Sequence, residues 1–365
     1  MSDSEIGIIN TTQLERLQKG GKKGLANLSN TCYMNSAIQA LVHTLALSSW
    51  FLESHHIADL NSNKEQKFLV LAWKQLVENY YEQDGTKIIK PTTFHTIVHI
   101  LACKKELNLY QLGNQNDIHE FFQFFIDSIH EALSYPVKVN IKGAVHTKLD
   151  RVTLEGHKQW GEFYCEQWST IIDLFYGQYI SVIICPTCGS QYRNYSPECC
   201  FALPIPSNTG KKGPVDLLDC WNTLTEPEIL DKKNMYNCEK CKAPKQVQKK
   251  IAIWKTPKIL IILLKRFRSH GQHTAKINDM VTYPFDLNLS EYCGSYDKLN
   301  SDYELFSVCH HSGGTGGGHY FASCKDPDGK WRRYNDSTVT ELDEKDVVAK
   351  SAYCLFYQKK GINTQ

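Results

Sequence analysis

The chain has 365 residues, 42% of them hydrophobic, and its 41 Lys and Arg nearly balance its 39 Asp and Glu, leaving a formal charge of +2. That content supports a sizeable globular core, and the charge balance offers no global attraction for nucleic acid or an anionic membrane surface. The opening MSDSEIGIIN lacks a signal peptide's layout, and no apolar run approaches the ~20 residues of a membrane helix. A soluble intracellular protein, cytoplasmic or nuclear, is therefore expected, with no membrane insertion and no nucleic-acid partner. In that reducing setting its 14 cysteines point to metal ligands, a nucleophile and small core residues rather than disulfides. The lysine pairs Lys211-Lys212, Lys232-Lys233 and Lys249-Lys250 are scattered and read as solvated surface.

Residues 1–20 read as a short N-terminal extension, 21–358 as a single domain and 359–365 as a tail. In GLANLSNTCYMNSAIQAL, from Gly24, Asn30 or Thr31 can cap a helix whose first turn holds Cys32, and Met34, Ile38, Leu41, Val42 and Leu45 recur at helical spacing. The helix dipole and unpaired N–H groups at such a position favour thiolate, so a Cys32 pKa below the usual ~8.5 is expected. Phe68, Leu71 and Leu76, then Phe121, Phe125, Ile129 and Leu133, continue the helical pattern. After about Ile171 the texture changes to short branched and aromatic runs: YISVII from Tyr179, KILIILL from Lys258, YELFSV from Tyr303 and YCLFY from Tyr353. These predict strands, and their segregation from the helices predicts an α+β fold.

Two cysteine pairs, CPTCG at Cys185 and Cys188 and CEKC at Cys238 and Cys241, have the spacing to wrap a tetrahedral zinc from two sides. The long gap between the pairs places the knuckles at the ends of extended strands. Four thiolates fill the coordination sphere, so this one zinc is expected to be a structural staple, with no catalytic cofactor implied.

A nucleophilic cysteine needs a base, and HSGGTGGGHYFASCKDPDGKWRRYND supplies His319 at the start of a strand. DPDG predicts the turn of a hairpin and WRRYND its returning strand. With Pro327 and Asp328 as the two central turn residues, His319 falls opposite Asp336 and Tyr320 opposite Asn335. A longer loop or a bulge would bring Asn335 to the histidine's face, so both stay candidates for the orienting group. The glycine run before His319 is not a phosphate loop, because no Lys-Ser/Thr follows and it lies between strands. It is read as a mobile, side-chain-free rim of the active site.

These stretches carry a family resemblance. GLANLSNTCYMNSAIQ resembles the cysteine box of ubiquitin-specific proteases, and GHYFASCKDPDGKWRRYNDSTV, from Gly318, their histidine box. QNDIHEFF from Gln115, DLFYGQYISVIICPTCG, LKRF from Leu264 and AYCLFYQ from Ala352 are similar to further family segments, in the family's order from about residue 20 to 358. The resemblance implies a papain-like cysteine protease with a helical thumb (about 21–165), then zinc-tipped fingers and a palm sheet (about 166–358). It implies Cys32 as nucleophile, His319 as base and, after the aromatic Tyr334, Asn335 as orienter, with Asp336 as an auxiliary polar group. Asn27 matches the oxyanion-hole side chain, and Gln115, Asp117, Gly318 and Tyr320 would line the channel for the substrate tail. The implied partners are ubiquitin and ubiquitinated proteins, with room for an activating protein. A catalytically weak ubiquitin-binding scaffold and a protease for another ubiquitin-like modifier are the alternatives. Two residues depart from the pattern: Ser29 stands at a usual glycine and Ile118 at a usual alanine. If position 29 needs a positive φ, serine there is strained by ~1 kcal/mol or more.

Overall fold

Apolar periodicity builds the first half of the molecule. The computed structural model describes residues 11–107, 109–206, 213–270, 273–314 and 316–361; Lys211, Lys212 and Thr315 of the sequence reading lie outside them. Helix α1 (Cys32–Val42) is buried along its whole length. Helix α2 (Lys67–Tyr81) buries Leu69, Val70, Trp73, Leu76, Val77 and Tyr80. Of the three residues the sequence reading placed on the apolar stripe, Leu76 is buried, but Phe68 and Leu71 are 52% and 45% exposed. The true stripe is one residue out of phase with them, because Trp73 and Tyr80 set the larger apolar area. Helix α3 (Ile118–Leu133) buries Phe121, Phe125, Ile129 and Leu133 as predicted, and its Phe125 packs edge-on against Trp73 at 4.9 Å between ring centroids. The N-terminal extension also contains a helix, Thr11–Lys19, whose Leu17 enters the core.

The predicted strands are all present. With strands the sequence reading did not single out, the order along the chain is β1 (Gly177–Ile184), β2 (Gln191–Glu198), β3 (Phe201–Pro204), β4 (Gln248–Lys255) and β5 (Ile259–Lys265). There follow β6 (Asp302–Gly314), β7 (Gly317–Lys325), β8 (Trp331–Asn335), β9 (Thr338–Glu341) and β10 (Ala352–Lys359). The central sheet runs β9-β8-β7-β6-β10-β5-β3, with Asp286–Asn288 added along β6. It is covered on both faces, which accounts for the unbroken apolar run of β5: Ile259, Ile261 and Leu263 join the helical core, while Leu260, Ile262 and Leu264 join a second core around Trp221. A smaller antiparallel sheet, β2-β1-β4 with Glu228–Ile229, extends from it. CPTCG turns β1 into β2, and CEKC turns Tyr236–Cys238 into Ala243–Lys245, so both knuckles do sit at strand ends. Among the described residues no helix is long and apolar enough to cross a membrane.

Candidate active site

Cys32 opens α1 with Thr31 at the N-cap position, but the threonine does not cap the helix with its side chain. Its hydroxyl instead accepts the Leu28 N–H at 2.9 Å and folds the preceding loop. That loop turns through two consecutive left-handed residues, Ser29 at φ +83° and Asn30 at φ +56°, so position 29 has the conformation in which serine is strained. The turn is tied down by the Gly113 N–H on the Ser29 carbonyl at 3.1 Å and by Asn30 Nδ2 on the Gly113 carbonyl at 2.8 Å.

The expected lowering of the Cys32 pKa is not what the site produces. Burial pushes the thiol up, and the charge of Asp336 adds to this, against backbone N–H bonds from Tyr320, Tyr33 and Cys32 itself that pull it down. The helix terminus supplies the anticipated stabilisation, but only 5% of the residue is exposed and desolvation outweighs it. Cys32 lines one cleft together with Gly318 and Tyr320, so the cysteine and histidine segments, distant in sequence, meet here.

The hairpin register differs from the simplest expectation by one residue. Gly329 adopts φ +81°, which only glycine takes without strain, and makes the loop three residues long. The Asp326 N–H bonds the Lys330 carbonyl at 2.9 Å, and Ala322 pairs with Tyr334. Continuing that pairing puts Asn335 opposite Phe321, on the face His319 shares, and Asn335 Oδ1 lies 2.5 Å from His319 Nε2. Asp336, at φ +50°, turns to the other side. Its carboxylate accepts Asn27 Nδ2 at 3.0 Å and Asn35 Nδ2 at 2.8 Å. It does not orient the histidine; it orients Asn27, whose Oδ1 is fixed by the Thr31 N–H at 3.2 Å. One Asn27 N–H bond is taken by Asp336, and the amide has a second to give.

A cleft of about 590 Å³ runs to Cys32, lined among others by Gln115, Asp117, Glu120, His311, Gly318 and Tyr320. Gln115 brackets Gly318, accepting its N–H at 3.2 Å and facing its carbonyl at 3.5 Å. Asp117 caps α3 through the His119 N–H at 2.7 Å and accepts the Tyr353 hydroxyl at 2.7 Å, so both its oxygens already have partners. Glu120, one turn further along, shares the cleft; burial and then the Asp117 charge push its carboxyl up. Sequence reading missed Glu120 and His311. The helical i, i+3 offset from Asp117 was the signal for the first, and the HHSGG preceding the glycine run for the second. His311 Nδ1 receives Lys276 Nζ at 2.8 Å, and the same ammonium donates to the carbonyls of His311 and Gly313, both at 2.9 Å. The glycine rim thus borders the cleft as expected, through Gly314, Gly316, Gly317 and Gly318.

At the far end of the smaller sheet the sulfurs of Cys185, Cys188, Cys238 and Cys241 all lie within 4.8 Å of one another. Cys185 to Cys241 is 3.9 Å and Cys188 to Cys238 is 3.6 Å. A tetrahedral ion with metal–sulfur bonds of about 2.3 Å requires edges of about 3.8 Å, so the set fits a metal ion of that size. Each knuckle closes the same way, with the Gly189 N–H on the Cys185 carbonyl at 2.9 Å and the Lys242 N–H on the Cys238 carbonyl at 2.8 Å.

Comparison with known proteins agrees with this architecture. The family described as ubiquitin carboxyl-terminal hydrolase matches residues 23–357. Bovine ubiquitin carboxyl-terminal hydrolase 2 is 33% identical over 346 residues, 93% of this chain and 55% of its own length. The Drosophila melanogaster protein Usp2 is 34% identical over 347 residues, 93% of this chain and 35% of its own. The chain therefore spans about half the length, or less, of these curated relatives. Among solved structures, a chain of the SAGA DUB module of Ubp8, Sgf11, Sus1 and Sgf73 bound to monoubiquitin superimposes with a TM-score of 0.73 at 26% identity, covering 96% of this chain and 71% of that one. With a cysteine at a helix start, a histidine–asparagine hairpin beside it and a four-cysteine finger tip in one α+β frame, the chain belongs to the ubiquitin carboxyl-terminal hydrolase family.

Proposed function

We propose that this chain is a thiol-dependent deubiquitinase that hydrolyses the bond after the C-terminal glycine of ubiquitin, whether isopeptide or peptide. The observation that carries the reading is that Cys32 shares one cleft with Gly318 and Tyr320, the two neighbours of His319, whose Nε2 lies 2.5 Å from Asn335 Oδ1. With Nε2 committed to Asn335, His319 keeps Nδ1 for the thiol proton. The thiolate adds to the scissile carbonyl carbon, and the oxygen that becomes negative is met by Asn27 Nδ2 and backbone N–H groups at the start of α1. His319 then returns the proton to the leaving amine, and a thioester to Cys32 remains. Water, deprotonated by the same imidazole, adds to the thioester and releases the carboxylate and the thiol.

The cleft suits a tail ending in glycine, since a chain without side chains passes most readily between Gln115 and the glycine rim. Glu120 supplies a carboxylate for a tail arginine, with Asp117 reinforcing the negative field while it holds Tyr353. In this reading residues about 21–165 are the thumb, and about 166–358 the fingers and palm that hold the body of ubiquitin. The four cysteines hold one structural zinc, which supplies a cross-link between two finger hairpins. The raised Cys32 thiol favours a requirement for substrate or a protein partner before the thiolate forms; the similar Ubp8 chain was solved with Sgf11, Sus1 and Sgf73.

The test is release of a fluorophore from a C-terminal amide of ubiquitin. Activity abolished by Cys32→Ala, and reduced roughly 10²-fold or more by Asn335→Ala and Asp336→Ala, supports the assignment. Cleavage of a related modifier in place of ubiquitin would replace it.

A further inference from the structure

Behind the cleft, His43 follows directly on α1 and is 2% exposed. Its Nδ1 lies 2.6 Å from the Gln39 carbonyl oxygen, which can only accept, so Nδ1 carries a proton. Its Nε2 lies 2.7 Å from Asp326 Oδ1, in the turn of the β7–β8 hairpin. Asp326 also accepts the Tyr334 hydroxyl at 2.6 Å and an Arg332 guanidinium N–H. A carboxyl that already takes a guanidinium N–H and a phenol O–H is ionised and has no proton to give, so at 2.7 Å Nε2 must be the donor and carries a proton as well.

We propose that His43 is a buried imidazolium that ties the helix carrying Cys32 to the hairpin carrying His319 and Asn335, and is thereby a positioning residue for the catalytic pair. Its kinetic consequence rests on the hydrolase reading above; its charge state does not. The pocket around it is built for a cation. Arg332 also binds Asp328, at 2.9 Å through Nη2, and approaches Glu341 at 3.8 Å, while Lys22 reaches Asp328 at 2.9 Å, so three cations, His43 included, face three carboxylates. Tyr80 of α2 and Tyr334 of β8 flank the ring at 6.0 and 5.0 Å between centroids. Burial opposes the charge, but Cys324 and Asp326 outweigh it and hold the imidazole above its ordinary range. The contact lies at the end of α1 opposite Cys32 and at the end of β7 opposite His319. It therefore fixes the angle between two elements whose near ends must bring a thiol and an imidazole together, and a buried pair with both partners satisfied resists the sliding that apolar packing tolerates.

The first test needs no variant. In the full chain at pH 7.5, ¹⁵N resonances assigned to the His43 ring should report both nitrogens protonated; a neutral tautomer overturns the proposal. The second uses His43→Gln and Asp326→Asn, each confirmed as folded by its thermal melt. With the fluorogenic ubiquitin amide, each should lower kcat at least tenfold and leave KM within twofold, and the double variant should be no worse than the poorer single one. Losses confined to KM, or effects that multiply in full, overturn the positioning role. If the unaltered chain does not cleave ubiquitin, the hydrolase reading fails separately. Alkylation of Cys32 by iodoacetamide then reads positioning, with at least a fivefold slower rate expected in both variants and an unchanged rate refuting it.

Discussion

Gly318→Ala is the sharpest probe of the cleft. A Cβ there would stand 2.2 Å from His311 Nε2 and 2.5 Å from the Ser312 carbonyl, where ordinary contact begins at 3.4 Å. The ring would have to retreat by about 1 Å, and it is held by Lys276 at 2.8 Å, whose ammonium also grips two rim carbonyls. Overpacking of this kind costs about 1–3 kcal/mol. At ~2.1 cal/mol/K per residue over a chain this long, Tm falls by only about 1–4 °C. Activity should suffer far more, because a misplacement of about 1 Å beside the reacting atoms costs roughly 10²-fold. The assay is kcat/KM with the fluorogenic ubiquitin amide, well below the melting range. Gly316→Ala is the control, since nothing lies within 4 Å of its Cβ. Gly318→Ala activity within threefold of the unaltered chain would show that the His311–Gly318 contact does not shape the tail channel.

Ser29→Gly relieves a left-handed serine and should raise stability by about 0.5–1 kcal/mol, the relief being partly offset by glycine's greater freedom in the unfolded chain; denaturant midpoints check it. Cys188→Ser, or removal of metal by a chelator, should lower Tm by about 5 °C and weaken ubiquitin binding to the Cys32→Ala chain, as read by calorimetry, while the melt of a chain re-supplied with zinc recovers. Acid should destabilise the fold early. Burial holds His56 and His311 down to about 4 and His310 to about 3, so below pH ~6.5 the unfolded chain binds protons that the folded chain refuses. Each of the three then removes up to about 1.4 kcal/mol per pH unit until its folded pKa is reached, and denaturant titrations at pH 7 and pH 5 should show the loss.

The sequence revealed the site more fully than the packing around it. Cys32, His319 and the four finger cysteines were legible because each sits in a local pattern with a chemical meaning: a helix start, a strand after a glycine run, paired thiols at turn spacing. The strands of the central sheet were legible from their branched and aromatic runs. What failed was decided at longer range. The choice between Asn335 and Asp336 turned on one residue of loop length, set by Gly329 in a left-handed conformation within DPDG. The apolar face of α2 turned on Trp73 and Tyr80 meeting partners from elsewhere, which displaced Phe68 and Leu71 to solvent. The Cys32 pKa turned on burial under the histidine hairpin, which no reading of the helix start alone could weigh against the dipole. His43 was hidden for the same reason, since its partner Asp326 lies 283 residues away along the chain.

The central claim is that Cys32 is a nucleophile presented to the C-terminus of ubiquitin. The direct measurement is reaction of the purified chain with ubiquitin bearing a thiol-reactive group at its C-terminus, beside the Cys32→Ala variant. The account predicts one covalent adduct with the unaltered chain and none with the variant. An adduct that persists without Cys32, or no adduct although ubiquitin binds, would contradict it.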